Sequence, residues 1–470
     1  MGLARAPEDG ATLWPRRPVV TGNMNLWNVN RVLRAVRAWT MAPGNGSGPR
    51  TPPIEEDLMF NGTAVMRTTR VAFALIGAVG LILTLLGTPP ASAGRAAPAA
   101  AAVSWSRVTP VGTNIIDDIG LARGTDGVLH VLWKTDASSN PQILDFPVSP
   151  TGTVGAPATV ARFFLASDPD ATVTPTGIAA LWNGASQETG GTQGAFEATR
   201  PLSGGHWAMT AHVPPAQNVV WSSLTVAATT GSDGKPWSAF TGTDSLAVVH
   251  FPHGMVQLGP TNMCCVDMPG LGTDGSTGST WVTYSSLISK HEGIFARKLL
   301  ASGQPAGPAT HLPGSSVGGL SVQPEQRVAT TGRGHGHGHA GVYAAYVNGY
   351  PSPRTLLVNP LGSGTTMKVA SAGGSEEIGG TALTADSGGR LVAAWFFGRG
   401  TKPALFVARS NLAATKFGAA ERIPLPAGTT TVWKVYVNAQ ASMLDVLVLA
   451  SKSGSSNNAA YWSAQVAPPA

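Results

Sequence analysis

Charge is scarce in this chain of 470 residues: only 12% are Asp, Glu, Lys or Arg, against 43% hydrophobic residues. That balance lies far from a disordered composition. Cysteine is nearly missing. Cys264 and Cys265 are the only two and they are adjacent, which excludes a disulfide framework stapling distant parts of the chain. Helical periodicity is lacking too, with no sustained i, i+3, i+4 apolar pattern in the C-terminal 370 or so residues. There is no Gly-x-Ser-x-Gly elbow, no His-Glu-x-x-His and no phosphate loop. These absences remove the motifs that would name a reaction, and none of them argues against a large all-β fold.

What is present is abundant glycine (58) and proline (36), with Val and Thr in alternating runs. A short pattern recurs: a small or acidic residue, a glycine, a few strand-forming residues, then an aromatic. It reads Asp126-Gly127 to Trp133, Thr176-Gly177 to Trp182, Asp233-Gly234 to Phe240, Thr277-Gly278 to Tyr284, Ala340-Gly341 to Tyr346 and Gly388-Gly389 to Trp395. Successive aromatics are 49, 58, 44, 62 and 49 residues apart. Repeats of this length built of short strands predict a β-propeller, each repeat one blade. Asp-Gly supplies the positive φ of a tight hairpin between a blade's first and second strands. The second strands are nearly all apolar, as expected when neighbouring blades cover both faces.

Six units are clear. A seventh lacks the aromatic: Val432 to Val437, Leu444 to Leu449 and Ala459 to Val466 are its three strands. Its missing fourth strand is expected from Ser104 to Val111, which joins the ends and leaves no open edge. The expectation is an all-β propeller of seven four-stranded blades over 104–470. Six or eight blades are the alternatives, because the 62-residue interval before Tyr346 leaves room for an irregularity.

The formal net charge of +6 is concentrated at the N-terminus. Residues 1–93 hold 9 Lys/Arg and 5 Asp/Glu, leaving 22 and 20 for the remainder. Within that remainder no basic cluster is interleaved with aromatics, so nucleic acid is not an expected partner. Arg67 and Arg70, the apolar run Val71 to Gly87, the break Thr88-Pro89-Pro90 and Ala91-Ser92-Ala93 read as a signal peptide over 66–93, cleaved after Ala93. An uncleaved anchor is the alternative and the only expected membrane attachment. Residues 1–65 read as an overcalled start or a disordered extension, and 94–103 as an Ala/Pro-rich linker. The expected location is therefore extracellular.

In a propeller, the loops between blades and those joining second to third strands share one rim around a central channel. That rim is predicted to carry Lys134 to Gln142, Asp117, Asp118, Asp168, Asp170, Trp221, Asp267, Tyr350, Arg354, Glu376, Glu377, Arg399 and Trp433. Paired carboxylates there (Asp117-Asp118, Asp168 with Asp170, Glu376-Glu377) suit glycosidic hydrolysis, which needs two at a set separation. Adjacent acidic residues also cap turns, which is the plainer reading. Trp221, Trp433 and Tyr350 offer rings for stacking on sugars, or for blade packing.

Cys264 and Cys265 fall on the same rim. An oxidising compartment points to a disulfide between them, with two reduced thiols as the alternative. Neighbouring Cα atoms lie about 3.8 Å apart in trans and about 2.9 Å in cis, below the usual disulfide range. The bond would close a rigid eight-membered ring whose sulfur surface, beside Met263 and Met268, suits the apolar face of a sugar. His335, His337 and His339 alternate with glycine, and imidazoles on one strand face suit Zn, Cu or Ni. Their place between first and second strands puts them on the opposite rim, where a solvent-exposed Gly-rich hairpin is the simpler expectation, so no metal site is assigned.

The repeat resembles the secreted sialidase-like (BNR, Asp-box-type) propellers of high-GC Gram-positive bacteria. Asp274-Gly275-Ser276-Thr277-Gly278-Ser279-Thr280-Trp281 is similar to the Asp-box S-x-D-x-G-x-T-W, with Ser276 at the box aspartate position. Arg422-Ile423-Pro424 is similar to the family's Arg-Ile-Pro motif but lies near the C-terminus, as a blade end. For an arginine triad that would hold a sialic acid carboxylate, Arg123, Arg297, Arg354 and Arg399 are available. The resemblance implies a propeller fold and a carbohydrate-related activity. The expected function is binding of a glycan or cell-surface polysaccharide without an organic cofactor. A glycoside hydrolase using rim carboxylates and a protein-interaction scaffold are the alternatives.

Overall fold

The computed structural model describes residues 103–469 apart from 115–116, 136–140, 188–189, 215–224, 242–245, 259–266, 289–290, 316–328, 334–340, 349–353, 363, 375, 400–401 and 441. The chain divides into Met1–Gly94 and Arg95–Ala470, and every described residue lies in the second part. The signal peptide, Trp221, Cys264, Cys265, the alternating histidines and Tyr350 therefore fall outside the described residues.

The described residues form antiparallel sheets, seven blades in all. Each blade starts with an inner strand: Ile119–Arg123, Asp170–Val173, Val226–Thr230, Asp267–Thr273, Ala329–Arg333, Glu377–Ala385 and Thr431–Ala439. Each inner strand neighbours the next, and the seventh neighbours the first, so the ring closes. The seventh blade takes Thr431–Ala439, Leu444–Ser451 and Ala459–Val466, and its fourth strand is Trp105–Arg107 from the start of the domain, paired Trp105 to Ala464 and Arg107 to Trp462. The start and the end of the propeller thus meet in one sheet, as the sequence pattern predicts.

Seven apolar clusters hold the ring, each between two neighbouring blades. The period of two along a strand produces this sharing. In the second strand of blade 1, Leu129, Val131 and Trp133 pack against blade 7 while Leu132 packs against blade 2. The recurring aromatics are the largest residues of these layers: Trp182, Tyr346, Phe240 and Trp395 are all fully buried. Trp395 stacks on Phe406, with ring centroids 5.8 Å apart. Blade 7, which lacks the aromatic on its second strand, places Tyr436 and Tyr461 edge to face in the same layer.

One feature is not legible as a repeat. The outer strand of blade 1, Ala158–Ala166, runs on into blade 2 and pairs Leu165 with Ala185 and Ala166 with Gly184, fusing two blades into one sheet. Gly184 makes this possible: a Cβ there would sit 2.0 Å from the Leu165 carbonyl oxygen, and its φ is +146°.

The inner strands approach closely where a side chain is missing. A Cβ on Gly120 would lie 2.7 Å from the Asp170 Cα and 2.8 Å from the Ala171 nitrogen. Both are backbone atoms of the next blade and cannot swing aside. Gly120→Ala is expected to push blades 1 and 2 apart and cost about 1–3 kcal/mol, seen as a lowered Tm in thermal unfolding. An unchanged Tm would show that the two strands have slack.

Candidate functional site

The channel mouth is built where the chain enters successive inner strands. Asp117 and Asp118 immediately precede Ile119–Arg123, and Asp168 precedes Asp170–Val173. All three are at least 97% buried, with 3%, 2% and 2% exposure. Burial of carboxyl groups on this scale needs partners, and for Asp118 and Asp168 they come from other blades. Lys434 of blade 7 donates from Nζ to Asp118 Oδ1 at 2.6 Å and to the Asp117 carbonyl oxygen at 2.9 Å. The Tyr436 hydroxyl donates to the same Asp118 oxygen. The Tyr461 hydroxyl donates to the Asp117 carbonyl at 2.7 Å. On the other side, the Asp118 amide donates to Asp168 Oδ2 at 2.9 Å, and Lys134 Nζ pairs with Asp168 Oδ1 at 3.1 Å. Blades 7, 1 and 2 are therefore laced together at one rim by the Asp118 and Asp168 carboxyl groups, the Asp117 backbone carbonyl and two ammonium groups, while the Asp117 carboxyl accepts the Trp133 indole at 3.4 Å within blade 1.

Lys434 has a local reason to face inward. The ladder between Thr431–Ala439 and Leu444–Ser451 shifts register between Val432 and Lys434. A bulge re-aims the side chains that follow it, and here it turns a lysine into the protein interior at 3% exposure.

Burial is the largest influence on Asp168 and pushes its carboxyl up. The Lys134 ammonium opposes that, while the nearby Asp118 carboxylate adds to it, and the outcome is a pKa of about 6. The folded chain therefore holds this proton more tightly than the unfolded chain, whose aspartates titrate near 3.9. Asp168 favours folding most fully below the unfolded value, and this contribution fades as pH rises to about 6. Relative to Asp168→Asn, which cannot titrate, the native chain is expected to lose about 2–3 kcal/mol of its advantage between pH 4 and pH 7. Chemical denaturation of both proteins at those two pH values measures it, and a difference that does not change with pH would refute the assignment.

Below the mouth, on the ring axis, lies a cavity of about 240 Å³ to which all seven inner strands contribute. Asp118 and Tyr436 form one part of its wall. The rest includes Ala171, Leu271, Leu383 and Val437, whose side chains belong to the clusters between blades, and Thr330, Thr381 and Asn438 as neutral polar groups, so the cavity surface is more polar than apolar. Asp170 also borders it, but both of its oxygens accept backbone amides, from Ala228 at 2.7 Å and Ala171 at 2.8 Å. A second cavity of about 350 Å³ shares Leu121, Ala171 and Asn438 with the first and continues to the other end of the inner strands.

Of the residues that the sequence pattern nominates, Asp117, Asp118 and Asp168 come together, joined by Lys134. Glu376 and Glu377 sit half-buried where blade 6 begins, and neither borders the axial cavity. Arg399 stands opposite Glu377 in the ladder of that blade. Asp267 opens the inner strand of blade 4, opposite Ser285. Arg354 is exposed on blade 5. The remaining arginines nominated for a carboxylate clamp do other work: Arg123 pairs with the buried Asp445, and Arg297 donates to the carbonyls of Leu258 at 2.7 Å and Gly307 at 3.0 Å. The Asp-box-like segment forms the turn between the first two strands of blade 4. There Asp274 accepts from the Ser276 and Thr277 hydroxyls, both at 2.7 Å. Its job is to close a turn. The residues missed from the sequence are Lys434 and Tyr436. The available signal was a lysine interrupting the apolar inner strand Val432-Trp433-Lys434-Val435-Tyr436.

No family model and no curated protein matches the chain. Among solved structures it is similar to virginiamycin B lyase from Staphylococcus aureus, at 10% identity and a TM-score of 0.44, covering 78% of this chain and 99% of that one. It is also similar to a protein of unknown function from Dyadobacter fermentans, at 9% identity and a TM-score of 0.46, covering 78% and 99%. An ulvan lyase with bound polysaccharide matches at 11% identity and a TM-score of 0.44, covering 75% and 95%. The strand order and ring closure of the chain itself establish the β-propeller fold; nothing in these likenesses singles out the sialidase-like subtype.

Proposed function

We propose that this chain is a secreted β-propeller, cleaved after Ala93, that binds the end of a glycan or cell-surface polysaccharide at the axial cavity beside Asp118 and Tyr436. The observation that carries this reading is the cavity itself: seven inner strands wall it, its surface is more polar than apolar, and Asp118 and Tyr436 place acidic and phenolic groups on one side. A mainly polar surface suits a sugar, whose hydroxyls hydrogen-bond to backbone and side-chain groups and donate to carboxylate oxygens. About 240 Å³ is below the range of about 300–1,000 Å³ usual for larger ligands, which favours one sugar unit over a long segment. Three carboxyl groups against two ammonium groups at the mouth favour hydroxyl donors over an anionic sugar. The sialidase-like reading is accordingly the less favoured member of this class.

A hydrolase reading has one observation in its favour. Asp168, raised to about 6, and Asp118 are neighbouring carboxyl groups in different surroundings, the condition that separates an acid from a base. Against it, both Asp168 oxygens are engaged by Lys134 and the Asp118 amide. Screening the mature protein on a glycan array, then on a fluorogenic glycoside panel, separates the two. Binding without turnover supports the first reading. Turnover that Asp118→Asn abolishes replaces it with the second. Absence of both sinks the carbohydrate reading.

A further inference from the structure

A second cluster of chemically capable side chains lies on blade 3, away from the channel. The hairpin turn between Val226–Thr230 and Pro236–Thr241 carries Asp233, and the tight turn between Leu246–His250 and Gly254–Gln257 carries His253, with His250 closing the strand before it. First-to-second and third-to-fourth turns emerge on the same side of a blade, so antiparallel folding brings these two together. One ligand atom from each of Asp233, His250 and His253 lies within 4.8 Å of the others, and no other such trio is found among the described residues.

We propose that Asp233, His250 and His253 form a site for a divalent first-row transition ion of the zinc, nickel and copper class. Two imidazoles and one carboxylate are a donor set that these ions prefer, and three protein ligands leave positions for water. His250 Nε2 and Asp233 Oδ2 already stand 2.8 Å apart. Metal bonds of 2.0–2.1 Å in tetrahedral geometry need about 3.3 Å between ligand atoms, so a small opening of the two turns admits the ion in place of the shared proton.

The surroundings orient these donors. Asp233 Oδ1 accepts the Lys235 amide at 3.0 Å, which turns Oδ2 toward His250. Trp237 stacks on the His250 ring at 4.2 Å, 19° from parallel, and fixes its plane. The His250 and His253 rings lie 4.7 Å apart. A small cavity of about 50 Å³, bordered by Ser232, Gly278 and Thr280, adjoins Asp233 and His250 and has room for metal-bound water. A plain hairpin clamp would need only Asp233 and His250. The matching aspartate of blade 1, Asp126, caps its turn through Val128 alone, and Asp274 of blade 4 is taken up by Ser276 and Thr277. Blade 3 adds an exposed second imidazole that no packing role requires.

The test must exclude the Gly-His repeat, which could bind metal by itself. In a His335→Gln/His337→Gln/His339→Gln background of the mature protein, equilibrium dialysis with Zn(II) is expected to find one ion per chain. Co(II) should give the visible spectrum of a low-symmetry nitrogen–oxygen site, and Zn(II) should raise the Tm. His253→Ala is exposed and should fold normally; in it the affinity is expected to fall at least about tenfold, with the Zn(II)-induced rise in Tm lost. Asp233→Asn should act in the same direction. No stoichiometric ion in the background protein, or the same affinity in His253→Ala, would overturn the site.

Discussion

Starting the domain at Asn114 instead of Gly94 is expected to leave a chain that no longer folds as a closed ring. The truncation removes the ladder of Trp105–Arg107 with Ala459–Val466. It also removes the bonds from the Val108 amide to the Tyr461 carbonyl at 2.8 Å, and from the Gly112 and Thr113 amides to the Ala459 carbonyl at 2.9 and 3.1 Å. Thr109, whose hydroxyl accepts the Tyr461 amide at 2.9 Å, goes too, as does the indole of Trp105, which reaches the Pro424 carbonyl of blade 6 at 2.8 Å. At about 1 kcal/mol per hydrogen bond and about 2 kcal/mol for buried Val108, the loss is about 5 kcal/mol or more. That is comparable with the whole stability of an ordinary domain, and the strand edge left behind invites aggregation. Adding a peptide spanning Val103 to Thr113 should restore soluble, cooperative unfolding. A truncated chain that melts within a few degrees of the intact one would show that the ring holds without its closing strand.

Lys434→Met is expected to have the second largest effect, and to act on both stability and ligand binding. It leaves Asp118 buried beside Asp168 without its cation. Stranding a buried charge in this way costs about 3–5 kcal/mol. The double variant Asp118→Leu/Lys434→Met removes both charges and should recover most of that stability, because apolar groups of similar volume replace a buried ion pair at little net cost. Binding at the axial cavity should remain lost in the double variant, since its acceptor is gone. Denaturant unfolding and glycan titration on the native chain and both variants separate the two roles. Binding that survives in the double variant would move the ligand to another surface. A single variant as stable as the native chain would mean that Lys434 is not what holds Asp118.

How far this could be read in advance varied with distance along the chain. The hairpin turns were legible because they are local. Asp126-Gly127 and Asp233-Gly234 set a tight turn within a few residues, and both glycines have the positive φ that it needs. The apolar second strands were legible because burial on both faces removes the polar alternation. The closing strand was legible by counting, since three strands at the C-terminus lack a fourth. The fusion of blades 1 and 2 was not, because pairing past Arg162 depends on where Gly184 arrives in space.

The site was half legible. Asp117, Asp118 and Asp168 were placed at the mouth because chain order assigns loops to rims. Their partners were not. Lys434 and Asp118 are 316 residues apart, and no local pattern ties a lysine in the last blade to an aspartate in the first. The sequence by itself determined the repeat, the hairpins within it and the closing strand, since hairpin chemistry and alternation act over a few residues. Only the tertiary structure decided which charges meet, which carboxyl group is pushed up and where two turns of blade 3 converge. Those outcomes depend on ring closure, which brings together groups that have no reason to be neighbours until the last blade meets the first.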